Sequence, residues 1–201
     1  MNLSIYDILS HLIPGFLVYA SMLYSFNIDI DRYSTITATA LAYFIGYIIN
    51  AISSWSESIL HLSWGGKPSD NLLEGKPIWK VAMFEGKRVK KMLLADCGNK
   101  HASNDELFEF ARRNVNFDAG THLSDFNAAY SFSRSILISV LFGLIMVIIS
   151  NPDVYLIIIG TVIFFITWLR TKQKTYYFVR EVFIEYMKLK NLSKPYRRKT
   201  Q

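Results

Sequence analysis

Residues 135–151 (SILISVLFGLIMVIISN) and 154–169 (VYLIIIGTVIFFITWL) carry no charged side chain, and the turn Asn151-Pro152-Asp153 joins them. Each stretch is about 16 residues, or roughly 24 Å of helix. A bilayer core is about 30 Å thick and leaves a backbone nothing but itself to hydrogen-bond to, so a spanning segment of this composition must be helical. Pro152 has no N–H to donate and stops a helix. The two stretches therefore predict a transmembrane helical hairpin. Flanking Phe132, Ser133 and Trp168 and a snorkelling Arg134 or Arg170 can make up the missing length.

Two further uncharged blocks lie near the N-terminus. Residues 8–26 include His11, Pro14 and Gly15, and Pro14 is expected either to kink the helix or to delay its membrane-crossing part. Residues 35–52 are rich in small and aromatic side chains. A soluble helical core is the alternative for any one block; four of them in a chain that is 51% hydrophobic point to an all-α integral membrane protein with four transmembrane helices.

The charges fix an orientation. Of 22 Lys and Arg residues only Arg32 falls in the connection 27–34, and none falls in the turn at 151–153, which leaves 22 − 1 = 21 on the other side. The positive-inside bias then puts residues 55–133, the C-terminal segment and, two crossings back, the N-terminus in the cytoplasm. The first residues lack the basic n-region and small-residue cleavage site of a secretory signal, so none is expected there. Cys97 is the single cysteine and has no disulfide partner in the chain. The organisation expected is a first transmembrane pair (1–54), a cytoplasmic helical region (55–133), the hairpin (134–170), and a cytoplasmic helix with a basic tail (171–201).

Within the cytoplasmic region, 53–64 is expected to continue the second span until Gly65-Gly66-Lys67-Pro68 breaks it. Residues 78–94 show a helical pattern with Gly86 as a weak point. Ser103-Asn104-Asp105-Glu106 has the form of a capping box opening a helix to about Val115. Residues 116–121 read as a turn, and Ser124 as the cap of a helix entering the third span.

Several groups are candidates for function. Ala38, Ala42, Gly46 and Asn50 lie four apart on one face of the second span, which suits close helix packing within a chain or between subunits. Tyr176, Val179, Phe183 and Tyr186 form an apolar seam, with Arg180, Glu181, Glu185 and Lys188 turned away; it fits packing on the middle region or a short coiled coil between subunits. Lys87, Arg88, Lys90 and Lys91, Lys172 and Lys174, and Arg197, Arg198 and Lys199 are candidate contacts for anionic lipid or a partner. No aromatic platform is interleaved in the Lys87–Lys91 cluster, which argues against single-strand binding, and direct nucleic-acid binding is not expected. His11 is an ionisable group at the edge of a span and by default a functional candidate, although a structural or interfacial role near the headgroups is the preferred reading.

Other patterns carry less. Gly65-Gly66-Lys67-Pro68-Ser69 superficially resembles a phosphate loop, but Pro68 separates Lys67 from Ser69 and no strand precedes it; this unit and Gly75-Lys76-Pro77 read as turns. Cys97, His101 and Asp105 supply too few ligands for zinc, and His61 and His122 are distant in sequence. No nucleophile, base and orienting group stand together, so no cofactor and no enzymatic activity are expected.

The layout of the whole chain, four spans and a cytoplasmic helical region, resembles the membrane subunit of the Kiwa anti-phage defence system. The resemblance rests on size and layout and carries over no individual residue. It implies a membrane-embedded sensor that forms a homo-oligomer, responds to disturbance of the inner membrane during infection, and works with a separate DNA-binding effector subunit. A sensor or scaffold acting through a cytoplasmic effector protein is the function expected. An oligomeric pore that depolarises the membrane is the alternative, with Thr35, Thr37, Thr39, Asn50 and Ser139 among the few polar groups able to line it.

Overall fold

The computed structural model describes residues 5–29, 34–76, 81, 83, 85–115, 117, 122–150 and 153–190. They form eight helices and no β-strand: α1 (Ile5–Ser25), α2 (Thr35–Trp55), α3 (Glu57–Ser63), α4 (Pro68–Leu73), α5 (Gly86–Cys97), α6 (Asn104–Asn114), α7 (His122–Ser150) and α8 (Val154–Leu189). Four of them are long and apolar enough to cross a membrane, with mean hydropathies over an 18-residue window of 1.4 in Ile8–Ser25, 1.5 in Thr35–Trp55, 2.4 in His122–Ser150 and 1.9 in Val154–Leu189. The protein is an all-α membrane protein. α1 continues through Pro14 and does not end there.

The chain divides into two compact units. The first takes residues 1–60 and 128–172, the second 61–127 and 173–201. The bounds of these units, at 60, 127 and 172, lie a few residues from the ends of the apolar blocks. Helices do not stop where their apolar content stops. Glu57 and Tyr130, outside the apolar blocks, bind Arg134 and so belong with the spans.

In the first unit, α1 and α2 approach backbone to backbone. A Cβ added to Gly46 would lie 1.8 Å from the His11 carbonyl oxygen, and one added to Gly15 1.7 Å from that of Ala42. Elsewhere the bundle meets through side chains. A Cβ on Gly143 of α7 would meet Ser21 Oγ of α1, and one on Gly160 of α8 would meet Leu144 of α7. The Thr171 hydroxyl of α8 donates to the Ser133 carbonyl of α7 at 3.0 Å.

The second unit has an ordinary aqueous-protein core. Leu72, Leu73, Val89, Leu93, Leu107, Val182 and Phe183 are fully buried, and each such side chain stabilises the unit by roughly 2 kcal/mol of removed apolar surface. The capping box is formed: Ser103 Oγ accepts from the Glu106 N–H, and Glu106 Oε2 accepts from the Ser103 N–H at 2.7 Å. Gly65 and Gly66 sit at positive φ and break the chain ahead of α4.

Three expectations for this region change. α2 ends at Trp55 and α3 begins at Glu57, so the extension of the second span is two helices joined at Ser56, where i→i−4 bonding carries the helical path across. α7 begins at His122, not after Ser124. α5 starts at Gly86 and not at Ile78; residues 78–80, 82 and 84 lie outside the described residues, as do most of 116–121 and Asn151 and Pro152 of the hairpin turn. Gly86 is less a weak point than a contact, since a Cβ there would sit 2.1 Å from the Leu72 carbonyl oxygen.

The two units differ in what they show outward. Among the described residues, every exposed large hydrophobic side chain belongs to the first unit except Leu62 and Leu189. An apolar exterior on the four-helix unit is what hydrocarbon requires, and a polar exterior on the other is what water requires.

Candidate functional site: a polar network at one end of the spans

The spans alternate in direction, so the start of α1, the end of α2 and the start of the apolar part of α7 share one end of the first unit. Polar residues recur there at helical spacing: Asn50, Ser53, Ser54 and Glu57 along α2 and into α3, and Tyr130, Ser131, Arg134, Ser135 and Ser139 along α7. The two polar faces meet.

Arg134 is the centre. Its side chain is only 8% exposed. Nη1 donates to Glu57 Oε2 at 2.6 Å and to the Tyr130 hydroxyl at 3.0 Å, Nη2 donates to Ser54 Oγ at 3.0 Å, and Nε donates to Ser53 Oγ at 3.4 Å. The guanidinium also lies over the Tyr130 ring, 4.9 Å from its centroid. From sequence, Arg134 is one of the two arginines placed to extend toward headgroups. It turns inward because the fork of N–H donors finds a carboxylate and three hydroxyls there, which compensates the loss of water.

Asn50 is the second hub. Its Oδ1 accepts from Ser135 at 3.1 Å and from Ser131 at 3.4 Å. That orientation of the amide leaves Nδ2 to donate to His11 Nε2 at 3.3 Å, which puts the ring proton on Nδ1 toward Ser10 Oγ at 3.2 Å. The His11 ring also lies beside those of Tyr43 and Tyr47, at 5.7 and 6.1 Å between centroids. Ser53 and Ser135, 3.3 Å apart, link the two hubs. A hydrogen-bonded chain thus runs from Ser10 and His11 through Asn50, Ser135 and Ser53 to Arg134 and Glu57, tying α1, α2, α3 and α7 together at one level.

The candidate residues fall into three sets. Of the small-residue face, Ala42 and Gly46 are buried against α1, Ala38 is half-buried, and Asn50 joins the network. The seam Tyr176, Val179, Phe183 and Tyr186 is buried inside the second unit of a single chain. There Asn71 Nδ2 donates to the Tyr176 hydroxyl at 2.8 Å, and Phe183 and Tyr186 meet the rings of Phe108 and Phe110. Of the basic residues, Lys87, Arg88 and Lys91 are exposed on α5 with Lys90 half-buried beside them, and Arg88 reaches Glu85 at 3.4 Å. Lys172 and Lys174 are half-buried, Lys172 over the Trp168 ring. Arg197, Arg198 and Lys199 lie outside the described residues.

No family model, no curated protein and no solved structure matches the chain.

The remaining polar motifs serve the second unit's own packing. Lys67 pairs with Asp105, Ser69 Oγ donates to Asp105 Oδ1 at 3.2 Å, and Asn104 Nδ2 donates to Asp70 Oδ1 at 2.8 Å. The Asp105 carboxylate holds the Lys67 ammonium above its usual range. The phosphate-loop-like segment is thus a turn fastened to the start of α6. Among the described residues, no group of three or more His, Cys, Asp or Glu side chains could hold a metal ion.

One pairing in this unit has a pH signature. The Tyr186 hydroxyl donates to Asp96 Oδ2 at 2.5 Å, and Lys190 Nζ lies 3.4 Å from the same oxygen. The Tyr186 hydroxyl first, and Lys190 after it, hold the Asp96 carboxyl below its ordinary 3.8. A carboxyl lowered on folding stabilises the fold above its unfolded value and loses that contribution as pH falls through the lowered one. Thermal melts of the wild type should therefore decline on acidification below about pH 4 more steeply than those of Asp96→Asn, which keeps an acceptor for Tyr186 but has no charge to lose. Parallel slopes for the two proteins between pH 6 and 3 would refute the assignment.

Proposed function

We propose that this protein is a non-enzymatic, membrane-embedded sensor or scaffold subunit of a bacterial inner membrane that acts through a cytoplasmic partner. The observation that carries the reading is the division of labour between the two units. One has a lipid-compatible exterior and the other a water-compatible exterior, and α7 and α8 each supply residues to both. A span and part of the aqueous unit are then one continuous helix, so a change imposed on the helix in lipid has a direct covalent route to the surface a partner would contact. The positive-inside bias supports placing the second unit and both termini in the cytoplasm. The layout it shares with the Kiwa membrane subunit supports a role in anti-phage defence as a homo-oligomer, with nucleic-acid binding left to a separate effector.

The pore reading draws less support. Asn50 and Ser139 satisfy their hydrogen bonds within the unit, Ser139 through the Ser135 carbonyl at 3.0 Å. Two measurements decide. Phage plating on cells carrying this chain with its neighbouring genes should show protection that is lost on deleting the chain and is not given by the chain alone. Membrane potential, followed with a voltage-sensitive dye after induction of the chain alone, should stay unchanged. Protection or depolarisation by the isolated chain would sink the proposal.

A further inference from the structure

Trp55, Ile59 and Leu62 are 80%, 70% and 81% exposed. They lie at steps of four and three, one face of a helix, across the junction of α2 and α3. The junction keeps helical bonding on both sides: the Ser56 N–H donates to the Ile52 carbonyl and the Leu60 N–H to the Ser56 carbonyl, each at 3.0 Å. The same stepping run backwards passes through Ala51 to Ile48, Phe44 and Leu41, and the last three are exposed on the span itself. The stripe therefore continues the lipid-facing side of α2 beyond its end.

Length decides where it goes. Residues 35–63 would make about 43 Å of straight helix against a hydrocarbon core of about 30 Å, which some 20 residues already cross. Counted from Thr35, that places Trp55 at the membrane boundary, where tryptophan is favoured, and leaves Ile59 and Leu62 past it. The opposite side of the same helix is polar and fixed. Glu57 stands about 200° from Ile59 around the helix and is held by Arg134. Ser54, on that side too, accepts from Arg134. Leu62 is also one of only two large hydrophobic side chains that the second unit exposes among its described residues.

We propose that α3 is a membrane-interface foot: its Trp55–Ile59–Leu62 face sits in the headgroup–acyl boundary of the bilayer, and the Arg134–Glu57 pair holds that face toward lipid. The bilayer, and not a protein, is the occupant because the stripe is continuous with the exposed apolar face of a helix long and apolar enough to cross a membrane. The inference does not depend on the sensor reading.

Site-directed spin labelling tests it. In a Cys97→Ser background, single cysteines replace Ile59 or Leu62, with Ile145 on the lipid face of α7 and Arg113 on α6 as membrane and water references. The labelled full-length proteins are placed in vesicles of phosphatidylethanolamine and phosphatidylglycerol. Collision with oxygen and with a neutral water-soluble nickel chelate is then compared. The ratio of oxygen to chelate access at 59 and 62 should rise above that at 113 and stay below that at 145. A ratio equal to that at 113 would place α3 in water and overturn the proposal. Low access to both reagents would overturn it too, and would assign the face to a second copy or a protein partner.

Discussion

Replacing Gly46 with alanine is expected to force α1 and α2 apart and to destabilise the protein by at least about 3 kcal/mol, the upper part of the range for overpacked sites. The added methyl would stand 1.8 Å from a backbone oxygen, and a backbone cannot rotate away as a side chain can. Gly15→Ala should behave alike, since its Cβ meets the Ala42 carbonyl oxygen from the other helix. Separation of the pair would also lengthen the contact between Asn50 and His11, which lies one turn along the same interface. Gly160→Ala is the control, because its Cβ meets only the end of the flexible Leu144 side chain. Thermal midpoints in detergent micelles, read from tryptophan fluorescence, should fall sharply for the first two substitutions and little for the third. A Gly46→Ala protein as stable as wild type would mean that α1 and α2 do not approach as closely as described.

Removing the carboxylate from Glu57 should cost about 2–4 kcal/mol, near what breaking a buried ion pair costs, reduced because Glu57 is 41% exposed and Arg134 can draw some water through it. The penalty comes mainly from the partner left behind. Arg134 stays buried with its charge and keeps only hydroxyl acceptors. For that reason the double substitution Glu57→Ala with Arg134→Met should be less damaging than Glu57→Ala alone, since a buried arginine of similar length is replaced by an apolar side chain. Stability measured across the four proteins of this cycle settles the point. Additive losses would show that Glu57 and Arg134 do not depend on one another.

These two sites also mark where sequence reading stops. The spans are legible because a bilayer imposes a length and a composition on each segment separately, and no partner need be known to recognise it. The capping box at Ser103 and Glu106 is legible for the same reason, since both members lie within one turn. So is the buried face of α8, where Tyr176, Val179, Phe183 and Tyr186 repeat at the helical period. The polar repeats of the network, Asn50-Ser53-Ser54-Glu57 and Ser131-Ser135-Ser139, do recur at helical spacing. They were not singled out from sequence, because a polar stripe on one helix reads equally as an exposed face.

What the sequence determined by itself is therefore the four apolar spans, the helix opened by the capping box at Ser103 and the buried faces of α2 and α8, all of them consequences of local periodicity and of the solvent each segment demands. Tertiary structure alone decided that Arg134 turns inward to Glu57, 77 positions away, and that His11 reaches Asn50, 39 positions away. It decided likewise that Gly15 and Gly46 face each other across a helix pair. Each of these depends on how far one helix is slid and rotated against another. One residue's change in that register turns a side chain by about 100° and removes the contact, and no feature within a single helix records it.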